Sequence, residues 1–482
     1  MQPQIRFLTI AFLVFFTCQS VQAQDTLNRL YGTYAVETGK AGIVLADSSM
    51  YAVGTSSAFF SMSSQAYLIK LDKHGDILWS KFYGGTGVDD ATDMLFDVDS
   101  SIYIVCNSYN GSVKGYDVKI IKVDNDGNLL WEKAYGTNDW DVPAKIVKCD
   151  LGTYMVCGYT YGGSGGQKDG MLFKFTDAGD SLQFSSFGGP TDDEFTDLVM
   201  TATDTVAVCG ISISYTGKKR GWLFEQTTSG ALVSDKKYGL AYNLEFNAIA
   251  LNQYANYLVG ATTDSTAGGN NRLNARTYDR NTKACIYDFL LGGSSDEKCT
   301  DIRFMNGWNH LLGITKSFGL GGYDGVVFRF DDYYWCPQAA TWGTSEDDFV
   351  NSFVPNMIGH FTAFGTSQEL YGISDLWVVN CGSTYQGGIT IDSQLDINGV
   401  TENTNTTEES AIDVYPNPVT TTIHLAGNDM AQQICIADLS GKIILTIKNA
   451  NSADLSGLSK GVYLMTIEFK DKMPFTKRII KG

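Results

Sequence analysis

Beyond residue 23 no run of the chain approaches the roughly 20 apolar residues that a membrane helix needs, so no transmembrane helix is expected in the mature protein, which should be soluble. Between residues 27 and 381 there is no long stretch with a 3.6-residue hydrophobic period, which argues against helical domains. Basic residues are scarce. Against 53 Asp+Glu stand 35 Lys+Arg, for a net charge of −18. From Ile412 onward Lys and Arg outnumber Asp and Glu, so the acid is concentrated in residues 24–411. A body that acidic repels nucleic acid and anionic membrane surfaces. Cationic, metal-bridged or neutral partners, glycans among them, remain open. The four histidines, His74, His310, His360 and His424, lack metal-ligand spacing.

The first 23 residues are expected to be a signal peptide. Arg6 precedes the apolar run Phe7–Phe16, and Val21-Gln22-Ala23 places cleavage between Ala23 and Gln24. The remaining chain is too long for one ordinary core, which points to a large repeat fold or several domains. It is rich in glycine (51 residues) and aromatics (12%), a composition suited to strands joined by tight turns.

The chain repeats itself. An aromatic or apolar residue followed by glycine recurs at Gly32, Gly84, Gly136, Gly188, Gly239, Gly292 and Gly343, at intervals of 52, 52, 52, 51, 53 and 51. Each unit divides into four strand-like runs, in the second copy Ala91–Asp97, Ser101–Asn107, Tyr116–Asp124 and Asn128–Tyr135. Tight-turn residues such as Asn125-Asp126-Gly127-Asn128 separate the third run from the fourth. Four antiparallel strands in about fifty residues, repeated, match a propeller blade. Six units are complete. The seventh stops at Cys381 without a fourth strand, and Asp25–Gly32 resembles the missing one. The expectation is an all-β chain: a seven-bladed β-propeller over 25–381, closed by its N-terminal strand, then a polar linker over 382–411. Cys106, Cys157 and Cys209 fall at equivalent repeat positions and read as buried hydrophobes. Cys149, Cys285, Cys299, Cys336, Cys381 and Cys435 could include a bridge of undetermined connectivity. The pattern G-G-x-x-x-D-D, an apolar strand, then D-x-x-x-K-x-D-x-x-G-x-x-x-W resembles the β-propeller repeats of secreted bacterial proteins, clearest over Tyr83–Tyr135. That resemblance carries a fold, not an activity.

Strand patterns resume over 412–482, expected to form a small β-sandwich. Val414-Tyr415-Pro416-Asn417-Pro418, Asp438-Leu439-Ser440-Gly441-Lys442, Leu458-Ser459-Lys460-Gly461-Val462-Tyr463 and Lys477-Arg478-Ile479-Ile480-Lys481 resemble the type A C-terminal sorting domain of the type IX secretion system. The resemblance implies transit through the periplasm and across the outer membrane, with the secretion machinery as partner. Removal of the tail and attachment to the cell surface or release would follow.

In a propeller the fourth-to-first and second-to-third loops share one face, the usual ligand side. Two acidic series fall there. Glu37, Asp89, Asp141, Asp193, Glu297 and Asp348 stand six residues after an anchor, and Asp117, Asp169, Asp324 and Asp375 stand at the start of the third strand. Such carboxylates could gather Ca²⁺ at a channel mouth, or accept backbone N–H groups and fix turns. No other cofactor is indicated. The second-to-third loops carry Tyr109, Tyr159, Tyr161, Tyr215, Phe318 and Tyr323, aromatics suited to stacking on sugar rings or to protein contact. Enzyme motifs are weak. Gly162-Gly163-Ser164-Gly165-Gly166 formally matches G-x-S-x-G but has no strand-to-helix elbow. The leading reading is a non-catalytic binding propeller, outside the cell or on its surface. The alternatives are a glycan-active hydrolase or lyase and a structural envelope component.

Overall fold

A computed structural model describes residues 27–482 apart from 33–34, 58–62, 110–114, 151, 164–166, 203, 214–216, 240–241, 265–269, 293–294, 320–321, 333–337, 356–360, 369–373, 382–389, 392–413, 416–418, 426–429, 438–442 and 469–474. The leader with its cleavage pair Ala23 and Gln24, Tyr215, and all of the linker but Thr390–Ile391 lie outside the described residues.

The described chain is all-β, without a helix. Seven four-stranded antiparallel units follow one another. Blade 1 spans 36–83, blade 2 88–135, blade 3 141–187, blade 4 193–238, blade 5 244–291 and blade 6 297–342. Blade 7 takes Asp348–Pro355, Phe361–Gln368 and Ser374–Cys381 from the end of the repeat region and its fourth strand, Asn28–Tyr31, from the beginning. The register is Asn28 opposite Val379 and Tyr31 opposite Leu376. The closure expected from the sequence is therefore present. The linker residues Thr390–Ile391 add a short parallel strand to Gln338–Trp342 of blade 6.

Each blade buries its faces against its neighbours. One apolar cluster joins Leu27, Tyr31, Phe364, Leu376 and Val378 of blade 7 to Met50, Ala52, Tyr67, Ile69 and Leu71 of blade 1. Burial of such side chains is what favours a closed ring over a row of separate sheets. Cys106, Cys157 and Cys209 are fully buried and unbridged, acting as small hydrophobes.

The repeated anchor residues stitch blade to blade. The hydroxyls of Tyr31, Tyr83 and Tyr135 donate to the carbonyls of Gly75, Gly127 and Gly179 at 2.7, 2.7 and 2.6 Å. Tyr238 donates likewise to the carbonyl of Lys283 at 2.8 Å. Each acceptor lies in the third-to-fourth turn of the next blade, and Gly75, Gly127 and Gly179 have the positive φ that the turn requires. Anchor and turn glycine, separate features of the repeat, are thus partners.

Every first strand carries a bulge at the same register, between Gly39/Ala41, Ala91/Asp93, Pro143/Lys145, Phe195/Asp197, Phe246/Ala248, Cys299/Asp301 and Val350/Ser352. This is why the first strand of blade 2 begins at Val88 and not at the expected Ala91: the bulge breaks the alternation, and pairing continues on its far side. Past the bulge, Asp93, Asp197 and Asp301 of blades 2, 4 and 6 accept the N–H groups of Ile146, Ile249 and Phe353 on the next blade, at 3.0, 2.9 and 3.4 Å.

The C-terminal region holds two sheets. Val414–Tyr415, Thr422–Leu425 and Ser452–Asp454 form one. Ile443–Ala450, Ala431–Ala437, Gly461–Glu468 and Phe475–Lys481 form the other. Both contribute to one core, in which the motif residues Val414, Tyr463 and Ile479 are buried. The short strand Ser452–Asp454 was not expected, because three residues carry no readable period.

Candidate functional site on the loop face

The structure unites the two acidic series. Glu37, Asp89, Asp141, Asp193, Glu297 and Asp348 open their first strands and are at most 2% exposed. Four of them accept a backbone N–H from the loop that leads to them: Asp89 from Gly85 (2.7 Å), Asp141 from Thr137 (2.5 Å), Asp193 from Gly189 (2.8 Å) and Asp348 from Thr344 (2.5 Å). Ser56 and Ser108 donate hydroxyls to Glu37 and Asp89 at 2.8 and 2.6 Å, and Ser317 donates to Glu297. These contacts order the fourth-to-first loops.

Asp117, Asp169, Asp324 and Asp375 come from the preceding blade and meet these carboxylates across the anchor glycine. Asp117 and Asp141 flank Gly136, Asp169 and Asp193 flank Gly188, Asp324 and Asp348 flank Gly343, and Asp375 and Glu37 flank Gly32. A side chain at any of these glycines would collide with a carboxylate. Burial pushes the Asp141 and Asp348 carboxyls above the usual range, and burial together with the charge of Asp193 does the same to Asp169. Elsewhere the first-strand acid faces a cation: Asp89 meets Lys119 at 2.5 Å and Glu297 meets Arg272 at 3.4 Å.

The aromatics divide. Tyr109, Tyr159 and Tyr161 fall in one row on blades 2 and 3, completed by two residues that the sequence did not single out. Ring centroids step from Tyr109 to Tyr116 (5.2 Å), to Trp140 (5.1 Å), to Tyr161 (6.2 Å) and to Tyr159 (6.0 Å). Trp140 is 49% exposed. The ammonium of Lys168 lies 4.3 Å from the Tyr159 ring centroid and 3.2 Å from Glu194. Phe318 instead packs against the core between blades 5 and 6. Tyr323 sits under Lys316, 4.2 Å from its ring centroid, beside Phe349. A shallow recess of about 450 Å³ between blades 1 and 2 is lined by small residues, Gln65 and Phe82, with no ionisable side chain. Among the described residues no helix is long and apolar enough to cross a membrane.

Residues 413–482 match the family described as the secretion system C-terminal sorting domain. A comparison with curated protein sequences finds no match. Among solved structures the chain is similar to PorZ, an essential bacterial surface component of the type IX secretion system of Porphyromonas gingivalis, at 12% identity and a TM-score of 0.37, covering 94% of this chain and 70% of that one. It is also similar to the β-propeller domain of the Trilobed protease from Pyrococcus furiosus, at 10% identity and a TM-score of 0.43, covering 74% and 98%. The propeller assignment rests on this chain's own sheet order. The chain is a β-propeller protein whose residues 413–482 match the secretion system C-terminal sorting domain.

Proposed function

We propose that this exported propeller is a non-catalytic binding protein that engages a glycan or an extracellular protein through its loop face, on the cell surface or after release. The row of aromatic rings on blades 2 and 3 carries this reading. Tyrosine and tryptophan offer large apolar faces with polar edges and lose little conformational freedom on contact. The acidic series supports it from the other side. Its first-strand carboxylates accept loop N–H or hydroxyl groups, and the pairs Asp169/Asp193 and Asp324/Asp348 are at most 4% exposed, so a substrate would have to open the loops to reach them. In this reading the signal peptide and the sorting tail serve delivery, and the tail is removed on export.

The test is to screen the full-length protein against glycan and extracellular-protein arrays while assaying every hit for cleavage products. Binding without turnover is expected. Turnover of a hit would replace this reading with that of a glycan-active enzyme.

A further inference from the structure

Four blade junctions share a scaffold bond. In the first three, Lys168, Lys219 and Asn271 donate a backbone N–H to the side chains of Asp192, Asn243 and Asp296 on the next blade, at 3.3, 3.0 and 2.9 Å. At the fourth, Tyr323 N–H reaches Asp347 at 2.7 Å. The acceptor is always the residue just before the first strand. At the junction of blades 2 and 3 that position is Trp140, and at the two remaining junctions the equivalent residues are Val36 and Val88. An indole cannot accept the bond. Its ring lies instead against Gly115, whose φ is +93° and where any Cβ would overlap the indole. The backbone around it keeps the common pattern: Asp141 N–H donates to the Tyr116 carbonyl and Tyr161 N–H to the Trp140 carbonyl, both at 2.8 Å. So this junction carries a half-exposed tryptophan where four others carry an acceptor, and the backbone holds that tryptophan in place. Unlike the valines at the two other departures, Trp140 offers a large aromatic surface on a loop, where binding residues concentrate.

We propose that Tyr109, Tyr116, Trp140, Tyr161 and Tyr159 form a preorganised stacking platform for a linear, neutral polysaccharide. The proposal rests on the binding reading above and gives it a place and a ligand class. Four ring-to-ring steps of 5.1–6.2 Å present a series of faces and edges rather than one pocket, which fits successive units of a chain. Charge selects the neutral class. Among the described residues the ammonium at the row, Lys168, is paired with Glu194, and Asp192 adds another carboxylate beside it. The surrounding body is strongly acidic, so a uronic acid polymer is repelled.

The experiment uses the full-length protein and its Trp140→Ala, Trp140→Asp and Tyr254→Ala variants. Trp140→Asp supplies the acceptor used at four other junctions, so it is expected to fold with a melting temperature close to that of the wild type. Probes are neutral oligosaccharides of the β-glucan, mannan, xylan and chitin types, with oligogalacturonate as the anionic comparison. Calorimetry and tryptophan fluorescence are the readouts. At least one neutral series is expected to bind, more tightly with increasing chain length. Both Trp140 variants should lose about tenfold or more in affinity, with Tyr254→Ala, an exposed tyrosine in the first-to-second turn of blade 5, unchanged. Glycan binding that survives in both Trp140 variants would overturn the platform and leave the binding reading standing. Binding only to oligogalacturonate would overturn the neutral class. Absence of binding to every glycan would overturn the platform, and the binding reading would then stand or fall on the protein array alone.

Discussion

The hydroxyl of Tyr31 donates to the carbonyl of Gly75 at 2.7 Å, across 44 residues of chain and across the seam of the ring. Tyr31 ends the strand that completes blade 7, and Gly75 turns the outer hairpin of blade 1. The same bond joins Tyr83 to Gly127 and Tyr135 to Gly179. The seam is therefore closed by the device used between interior blades. Replacing Tyr31 by Phe should cost about 1–2 kcal/mol, because a buried carbonyl loses its donor. Tyr83→Phe should cost a similar amount. Chemical denaturation of the two variants checks this, and a neutral Tyr31→Phe would show that the seam bond contributes nothing.

Gly188 stands between Asp169 and Asp193, and its missing side chain makes room for both carboxylates. Gly188→Ala should destabilise by about 2–3 kcal/mol through overpacking. Adding Asp169→Ala removes the colliding carboxylate and also the like charge facing Asp193. The double variant should thus be more stable than Gly188→Ala alone, and a double-mutant cycle measures the coupling. Strict additivity would mean that the two side chains do not meet.

Asp197 is buried, and burial raises its carboxyl to about 6 against the opposing pull of Arg303 and Lys145. A carboxyl raised on folding contributes stability that is full below its unfolded value of 3.8 and is lost as the pH rises through about 6. Between about pH 4 and pH 8 the stability of Asp197→Asn relative to wild type should shift in favour of the variant by roughly 2–3 kcal/mol. His310 acts in the opposite sense. Burial and Arg329 lower it to about 4, so its contribution is present above its ordinary 6.5 and is lost as the pH falls. The difference between variant and wild type isolates Asp197, and parallel pH–stability curves would refute the assignment.

Ile479 lies in the core of the sorting domain, fully buried in the strand Phe475–Lys481. Ile479→Asn buries an amide without an apolar replacement and should cost about 3 kcal/mol or more in that small sandwich. The prediction is periplasmic accumulation of a chain whose propeller still resists protease. Fractionation followed by limited proteolysis reads both. Normal appearance at the surface or in the medium would show that export tolerates an unfolded tail.

Much of this architecture is legible because it is periodic or local. The interval between anchor glycines, the alternation in Asp117–Val123 and the turn at Asp126-Gly127 all sit within short windows, and the sorting motifs are contiguous. Blade number followed from counting, and closure from the likeness of Asp25–Gly32 to a missing fourth strand. The candidate site was less legible. Tyr109, Tyr159 and Tyr161 were visible as loop aromatics. Tyr116 and Trp140 were hidden because one reads as the edge of a strand and the other as a spacer before Asp141. Trp140 stands where four other blades have Asp or Asn and two have Val, and that contrast has meaning only once the bonds made by Asp192, Asn243, Asp296 and Asp347 are seen.

The sequence by itself determined an acidic, repeat-built, all-β chain with seven blades, a strand from the N-terminal end in the last of them, and a sorting tail. Those properties depend on periodicity, turn chemistry and net charge, which are additive along the chain. Only the tertiary structure decided that four third-strand acids each face a first-strand acid, that each anchor tyrosine serves the next blade's turn, and that five rings form a single row. These depend on which atoms of neighbouring blades meet, and that is set by the bulges and the packing of the ring, not by any local pattern.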